Sequence, residues 1–398
     1  MFITLLCLGL IASAFAFIPG VDIRELQMTL ASFFALSLGA VELYRNGFRP
    51  FKNKWVIIFL LYLPISVFIA PAPSITLVGI NVTNFWSWQP IMNILIYSFM
   101  VFAISSHEFS KSELLIAIKT VVWCGFFMAF YVTLQRLDMD QFFMRNVDPS
   151  HGPSASYAGF IGNPTLVAPY IAMTVPFMIY LKKWWMIPVA LGGVIFPESQ
   201  MAYGGLFGGL AFLVGSKGKF RFVLMAVISF LVAAFLVVGY FNSPTVKKFI
   251  TDHERFEIWS VIAKDVKNPI AKDVKNSYPL TGRGIGSFKF VHHVEHQNSF
   301  HQAHNDYLEL TYGCGLAGLF FVFAAILKMI RENFSVFQVF RFGEEKLKST
   351  LLASFVTIAL TAFGTFVWQI GASIYLTCVL IGLLHNESLK LKTEGELA

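Results

Sequence analysis

The chain has 398 residues, of which 56% are hydrophobic and only 13% charged, with mean hydropathy +0.65 and a formal net charge of +7. Soluble domains carry roughly a quarter charged residues, so the composition excludes an ordinary water-soluble globular protein. The repeated apolar runs predict an all-α fold, a polytopic helical membrane protein. The positive charge does not imply a nucleic-acid partner, because most Lys and Arg fall in short loops between apolar runs, where they set membrane orientation. Cys7, Cys124, Cys314 and Cys378 all sit within apolar runs, with neither a disulfide framework nor metal-ligand spacing.

In chain order the runs predict about twelve transmembrane helices. The first six are Phe2–Phe17, Leu26–Val41, Trp55–Ala70, Trp88–Ile104, Leu114–Leu134 and Pro164–Leu181. Two short runs follow, Trp184–Phe196 and Met201–Val214, then Phe222–Phe241, Leu310–Lys328, Leu351–Val367 and Gln369–Leu384. Ala14-Phe15-Ala16 resembles a small-residue cleavage site, so Met1–Ala16 also admits a signal-peptide reading, although it lacks a basic n-region. Alternate loops carry Arg45, Arg49, Lys52 and Lys54, then Lys182 and Lys183, then Lys217, Lys219 and Arg221. The opposite loops Pro71–Gln89 and Pro197–Gln200 have no Lys or Arg. Both termini are therefore predicted to be cytoplasmic and Asn242–Ala303 external. This divides the chain into an N-terminal transmembrane region (1–241), a large external loop containing amphipathic helices (242–309), and a C-terminal transmembrane region (310–398). Within the sixth run, Gly162-Asn163-Pro164 reads as a helix start, where the missing N–H of proline costs little.

The long polar stretch from Thr251 to Gly318 is where chemistry is expected. Thr251-Asp252-His253-Glu254 fits a capping box. Phe256, Trp259, Ile262, Ala263 and Val266 follow at helical spacing. Arg255, one turn before Trp259, lies on or beside that apolar face. It reads either as a snorkelling anchor at the lipid interface or as an anion clamp, since guanidinium grips phosphate bidentately. The eight residues Ile262–Pro269 are followed at once by a near copy, Ile270–Ser277, too short for a solenoid repeat. Arg283 sits in Gly282-Arg283-Gly284-Ile285-Gly286, either an ordinary turn or a place where the backbone approaches a ligand closely. His292, His293, His296, His301 and His304 cluster here, but no Cys or ordered carboxylate set completes a zinc site, so no metal is expected. His304, beside the predicted membrane re-entry, is a candidate general base toward a hydroxyl, with Asp306 or Glu309 orienting it.

His304-Asn305, nine intervening residues and Gly315-Leu316-Ala317-Gly318 resemble the signature of the O-antigen ligase family of bacterial membrane glycosyltransferases. Pro279-Leu280-Thr281-Gly282-Arg283-Gly284-Ile285-Gly286-Ser287-Phe288 is similar to the family's Pro-Leu-x-Gly-x-Gly-x-Gly-x-Phe-like approach to that motif. Arg255-x-x-x-Trp259 resembles its Arg-x-x-x-Leu element, with Trp in place of Leu. The resemblance implies a bacterial inner-membrane enzyme that transfers a preassembled glycan from undecaprenyl diphosphate to an acceptor hydroxyl on the periplasmic face. It implies no cofactor and no metal. Its partners would be the lipid-linked donor, a lipid or glycan acceptor (lipid A–core, a growing polymer or a protein) and membrane lipids. Arg255 would hold the diphosphate and His304 activate the acceptor, with Asn305, Arg283 and Arg136 among the substrate-binding residues. Where family members often carry an arginine, this chain has the uncharged amide Gln200 among its substrate-binding residues, so one phosphate contact is either missing or supplied by Arg283 or Arg136.

Two other classes remain open. A transporter would show internal repeats and ionisable residues at mid-membrane, whereas these runs read as nearly charge-free. A non-catalytic polysaccharide-assembly protein is favoured if Gln200 marks lost chemistry.

Overall fold

The computed structural model describes residues 1–16, 23–47, 53–69, 75–77, 80–82, 85–140, 159–215, 259, 280–288, 303–334 and 345–386. They are almost wholly helical. The helices are α1 (Phe2–Phe15), α2 (Ile23–Asn46), α3 (Lys54–Ile69), α4 (Phe85–Ser106), α5 (Lys111–Arg136) and α6 (Pro164–Tyr180). They continue with α7 (Ile187–Ile195), α8 (Gln200–Gly215), α9 (Asp306–Phe334), α10 (Glu345–Thr361) and α11 (Gly371–His385). Beside the helices lies a small antiparallel pair, β1 (Ile75–Leu77) with β2 (Ile80–Val82), in register Ile75 to Val82.

Four described helical segments are long and apolar enough to cross a membrane: Ile23–Asn46, Gln89–Ser106, Lys111–Arg136 and Asp306–Glu332. Six shorter ones are apolar too, including Phe2–Phe15 and Gly371–His385. Twelve spans were predicted. Phe222–Phe241, the helix expected after Thr251 apart from Trp259, and the octapeptide pair lie outside the described residues. Phe33, Leu61, Phe127 and Phe320 are each more than half exposed, at 59, 64, 51 and 57%. Such a distribution of large apolar side chains suits hydrocarbon as solvent and not water. The chain is accordingly read as a membrane protein.

Local sequence explains several boundaries. Asn163 caps α6, its Oδ1 accepting from Thr165 N at 2.9 Å, and Pro164 takes the first helical position as expected. Ser110 and Glu113 form a full capping box at the start of α5.

Two compact units are present. The first comprises Met1–Pro50, Leu95–Leu213 and Met329–Ala398. There α1 packs on α2, α6 on α10, and α5 on both α6 and α7. Phe2, Leu6 and Leu10 of α1 are fully buried. The buried Gln27 amide donates to Ala14 O at 3.2 Å and Phe160 O at 3.0 Å, tying α2 to two chain segments. Glu42 and His107, each just beyond the end of a predicted apolar run, meet as a buried pair. Glu42 Oε2 lies 3.1 Å from His107 Nδ1, with side-chain exposures of 0 and 10%. Phe2 stacks on the imidazole at 3.9 Å. Asn386 donates to the carbonyls of both Ile104 and His107 at 2.7 Å, which closes the corner.

The second unit comprises Phe51–Ile94 and Val214–Lys328. In it α3 is tied to α9 through Asn53 Nδ2, which donates to Ala325 O at 3.2 Å, and through Trp55 and Tyr62 against Phe321. This unit carries the candidate site.

Candidate functional site

The loop Leu280–Phe288 and the first part of α9 form one structure held chiefly by backbone. α9 breaks at Gly315 (φ 66°, ψ −175°), which releases carbonyls from the helical ladder. The loop and a neighbouring tyrosine take them up. Arg283 N donates to Tyr312 O at 2.9 Å, and Tyr62 OH bridges Cys314 O at 2.8 Å and Leu280 O at 3.1 Å. Ala317 N donates to Leu280 O at 3.1 Å. Only glycine fits where the two strands of chain meet. A Cβ at Gly282 (φ 73°) would sit 2.4 Å from Gly313 O, and one at Gly315 would sit 2.3 Å from Leu280 O. Gly284 and Gly286 are also left-handed, so all three glycines of the Gly-x-Gly-x-Gly run have backbones that other residues adopt at a cost. What reads from sequence as a weak Gly-x-Gly signal is a built seat.

That seat fixes Arg283. Its Nη1 donates to Tyr312 OH at 3.2 Å, and its guanidinium carbon lies 5.3 Å from the centroid of the same ring. Tyr312 is buried and stands edge-on to Phe288 at 5.4 Å. Phe288, Ala303 and Tyr312 form a small core with Trp259 and Leu308 packed on it. Trp259 Nε1 donates to Ala303 O at 2.9 Å. Thus the Trp259 segment, the Arg283 loop and the approach to His304 converge in one unit.

His304 has φ 50°, an uncommon conformation for a side-chain-bearing residue. Both flanking residues are pinned. Ala303 gives its N–H to Glu309 Oε2 at 3.3 Å and its carbonyl to Trp259. Asn305 caps α9, its Oδ1 accepting from Tyr307 N and Leu308 N, each at 3.1 Å. His304 itself is half-buried. A left-handed backbone persists only when its surroundings over-determine it, and such positions gather at functional sites.

The expected site residues therefore fall into three groups. His304, Asn305, Asp306, Glu309 and Arg283 belong to this one unit. Asn305 has its side-chain oxygen committed to the helix cap, Asp306 is buried in the first turn, and Glu309 holds the backbone just before His304. Arg136 ends α5 and Gln200 starts α8, both exposed and both in the other unit. Arg255 lies outside the described residues, as do His292, His293, His296 and His301. Among the described residues no group of three metal-ligating side chains occurs. Two contributors were not foreseen. Tyr312 carries Arg283, and Tyr62 reaches the loop from α3. The glycines within the apolar run at 313 and 315 signal the break that exposes their acceptors. Nothing in sequence singles out Tyr62.

Chemically the arrangement offers a fixed cation on one side and a strained histidine on the other. The helix N-terminus itself is a poor anion site here, because Asn305 occupies its donors and Asp306 and Glu309 place two carboxylates in its first turn. An anionic group is better served by the arginine side. No protein-family model matches the chain, and no curated protein matches it either.

Proposed function

We propose that the protein is a lipid-linked glycan transferase of the ligase and polymerase group, acting at the external face of a bacterial inner membrane. The observation that carries this reading is the convergence of Trp259, the Arg283 loop and the His304–Asn305 helix start within one unit. In this reading His304 takes the proton from an acceptor hydroxyl as its oxygen attacks the anomeric carbon of the donor sugar. The bond from that carbon to the diphosphate oxygen breaks, and the lipid diphosphate leaves with the bonding pair. Arg283, and Arg255 four residues before Trp259, neutralise the charge that develops on the leaving diphosphate. Such positioned donors act without reorganisation during the step. Asn305 supports the reaction by holding the helix start, and Glu309 by holding the backbone that presents His304. Arg136 and Gln200 are proposed as substrate-binding residues on the resemblance alone.

The test is reconstitution of the full chain with a lipid-diphosphate-linked glycan and alternative acceptors: lipid A–core, oligosaccharide and protein. Transfer to any of them, lost in His304→Ala, is the expected result. No transfer to any acceptor, by protein of demonstrated integrity, overturns the proposal.

A transporter reading draws on one observation, the buried Glu42–His107 pair, since ionisable groups inside helical membrane proteins mark ion pathways. Glu42 lies in the last turn and a half of α2 and His107 just beyond the end of α4, positions that suit a structural clamp between helix ends. A proton- or sugar-flux assay in vesicles separates the two.

A further inference from the structure

In the first unit α1 and α5 run side by side, bridged by the Thr120 hydroxyl, which lies 3.3 Å from Cys7 Sγ and 3.0 Å from Ile116 O. Between them opens a groove of about 790 Å³, lined by Ile11, Phe15, Lys119, Trp123, Phe127 and Tyr131 among others. Its volume is that of a small-molecule site. One end is closed by Phe160, which stands edge-on to Phe15 at 5.2 Å and stacks on Tyr131 at 4.2 Å. The axis of α5 from Lys119 to Tyr131 measures about 18 Å at roughly 1.5 Å per residue. That exceeds the depth of one leaflet, half of a hydrocarbon core about 30 Å thick. A whole acyl chain fits.

Lys119 gives the groove its direction. It is the sole charged residue between Glu113 and Arg136, it is exposed, and among the described residues none forms a hydrogen bond or ion pair with it. Side chains on a helix lean toward its N-terminus, so Lys119 leans toward the Lys111 end, where a headgroup lies. A cation at the rim of an apolar groove, with no partner among the described residues, is satisfied best by a phosphate that arrives with its own hydrocarbon tail.

We propose that this groove binds an anionic phospholipid of the surrounding bilayer, with one acyl chain along Trp123 and Phe127 and the phosphate on Lys119. The site is independent of the glycan-transfer reading. The test is native mass spectrometry of the full chain in detergent, titrated with phosphatidylglycerol or phosphatidylethanolamine. Phosphatidylglycerol is expected to be retained about fivefold more tightly, the effect of one basic residue at a membrane surface. Lys119→Gln removes that preference with no change in detergent Tm, and Ile116→Trp, which fills the open side of the groove, weakens retention of both lipids. Equal retention by the parent protein overturns the proposal, as does a preference that survives Lys119→Gln. A fall in lipid-free Tm for Lys119→Gln makes the residue structural and also overturns it. Displacement of phosphatidylglycerol by an equal concentration of undecaprenyl phosphate assigns the groove to a polyprenyl tail instead, and the proposal fails.

Discussion

His304 adopts a left-handed backbone that costs a non-glycine residue roughly 1–2 kcal/mol. This separates its conformation from its chemistry. His304→Gly removes the imidazole and relieves the strain together. The expected outcome is an unchanged or raised Tm in detergent and a loss of transfer of at least about a hundredfold, the usual worth of a general base. Transfer at the parent rate in that variant eliminates the histidine as base. Arg283 is tested through its partner. Tyr312→Phe keeps the ring against Phe288 and removes the hydroxyl that accepts from Nη1, a bond worth about 1 kcal/mol. Donor affinity is expected to fall severalfold there and by tenfold or more in Arg283→Lys, which keeps the charge but loses the planar fork. Unchanged donor affinity in Arg283→Lys removes the residue from the diphosphate site.

The loop and the broken helix stand or fall as a pair. Gly315→Ala places a Cβ within 2.3 Å of the Leu280 carbonyl at a left-handed position. A destabilisation of at least about 2 kcal/mol is expected, read as a lowered Tm. Gly282→Ala should cost a similar amount, and the double variant less than the sum, because either change already unseats the loop. Additive losses argue that the two glycines act separately. Helix starts were the most legible elements: Asn163-Pro164 reads directly as cap and first residue, and so it is. The kink was half legible, visible as two glycines in an apolar run. Its consequence was hidden, since which carbonyls are freed and what donates to them depends on a loop and a tyrosine elsewhere in the sequence. Asn305 illustrates the opposite case. A polar residue beside a candidate base invites a ligand-binding role, yet the capping geometry that occupies its oxygen is the ordinary work of asparagine at a helix start.

At the scale of the molecule, composition conveyed the helical, membrane-like character because it depends only on how many apolar residues follow one another. Long-range pairing did not show. Glu42 and His107 are 65 positions apart in sequence and look unrelated there, yet they form a pair with the carboxylate fully buried. Breaking such a pair leaves a buried polar group unmatched, so Glu42→Ala is expected to destabilise the first unit by about 3 kcal/mol. Glu42→Gln, whose single side-chain oxygen still accepts from Asn46 while its amide N–H faces His107 Nδ1, should cost less. If the two variants melt together at the parent temperature, the pair is not a clamp. The octapeptide copy at 270–277 makes a separate expectation. If it is a passive insertion, its deletion leaves transfer within about twofold of the parent. A complete loss places it in the working structure.

The meeting of Gly282 with Gly315 is backbone against backbone, so it does not depend on the side chains of Thr281 and Ile285. Thr281, Arg283 and Ile285 alternate with the glycines that anchor it. Thr281 and Ile285 are thus open to exchange while the mount stays intact, whereas Arg283 is also held by Tyr312. If the proposed reaction holds, exchanging Thr281 and Ile285 is expected to leave the fold and the Arg283 contact standing, so any change in transfer would report on the loop's surface and not on its mount.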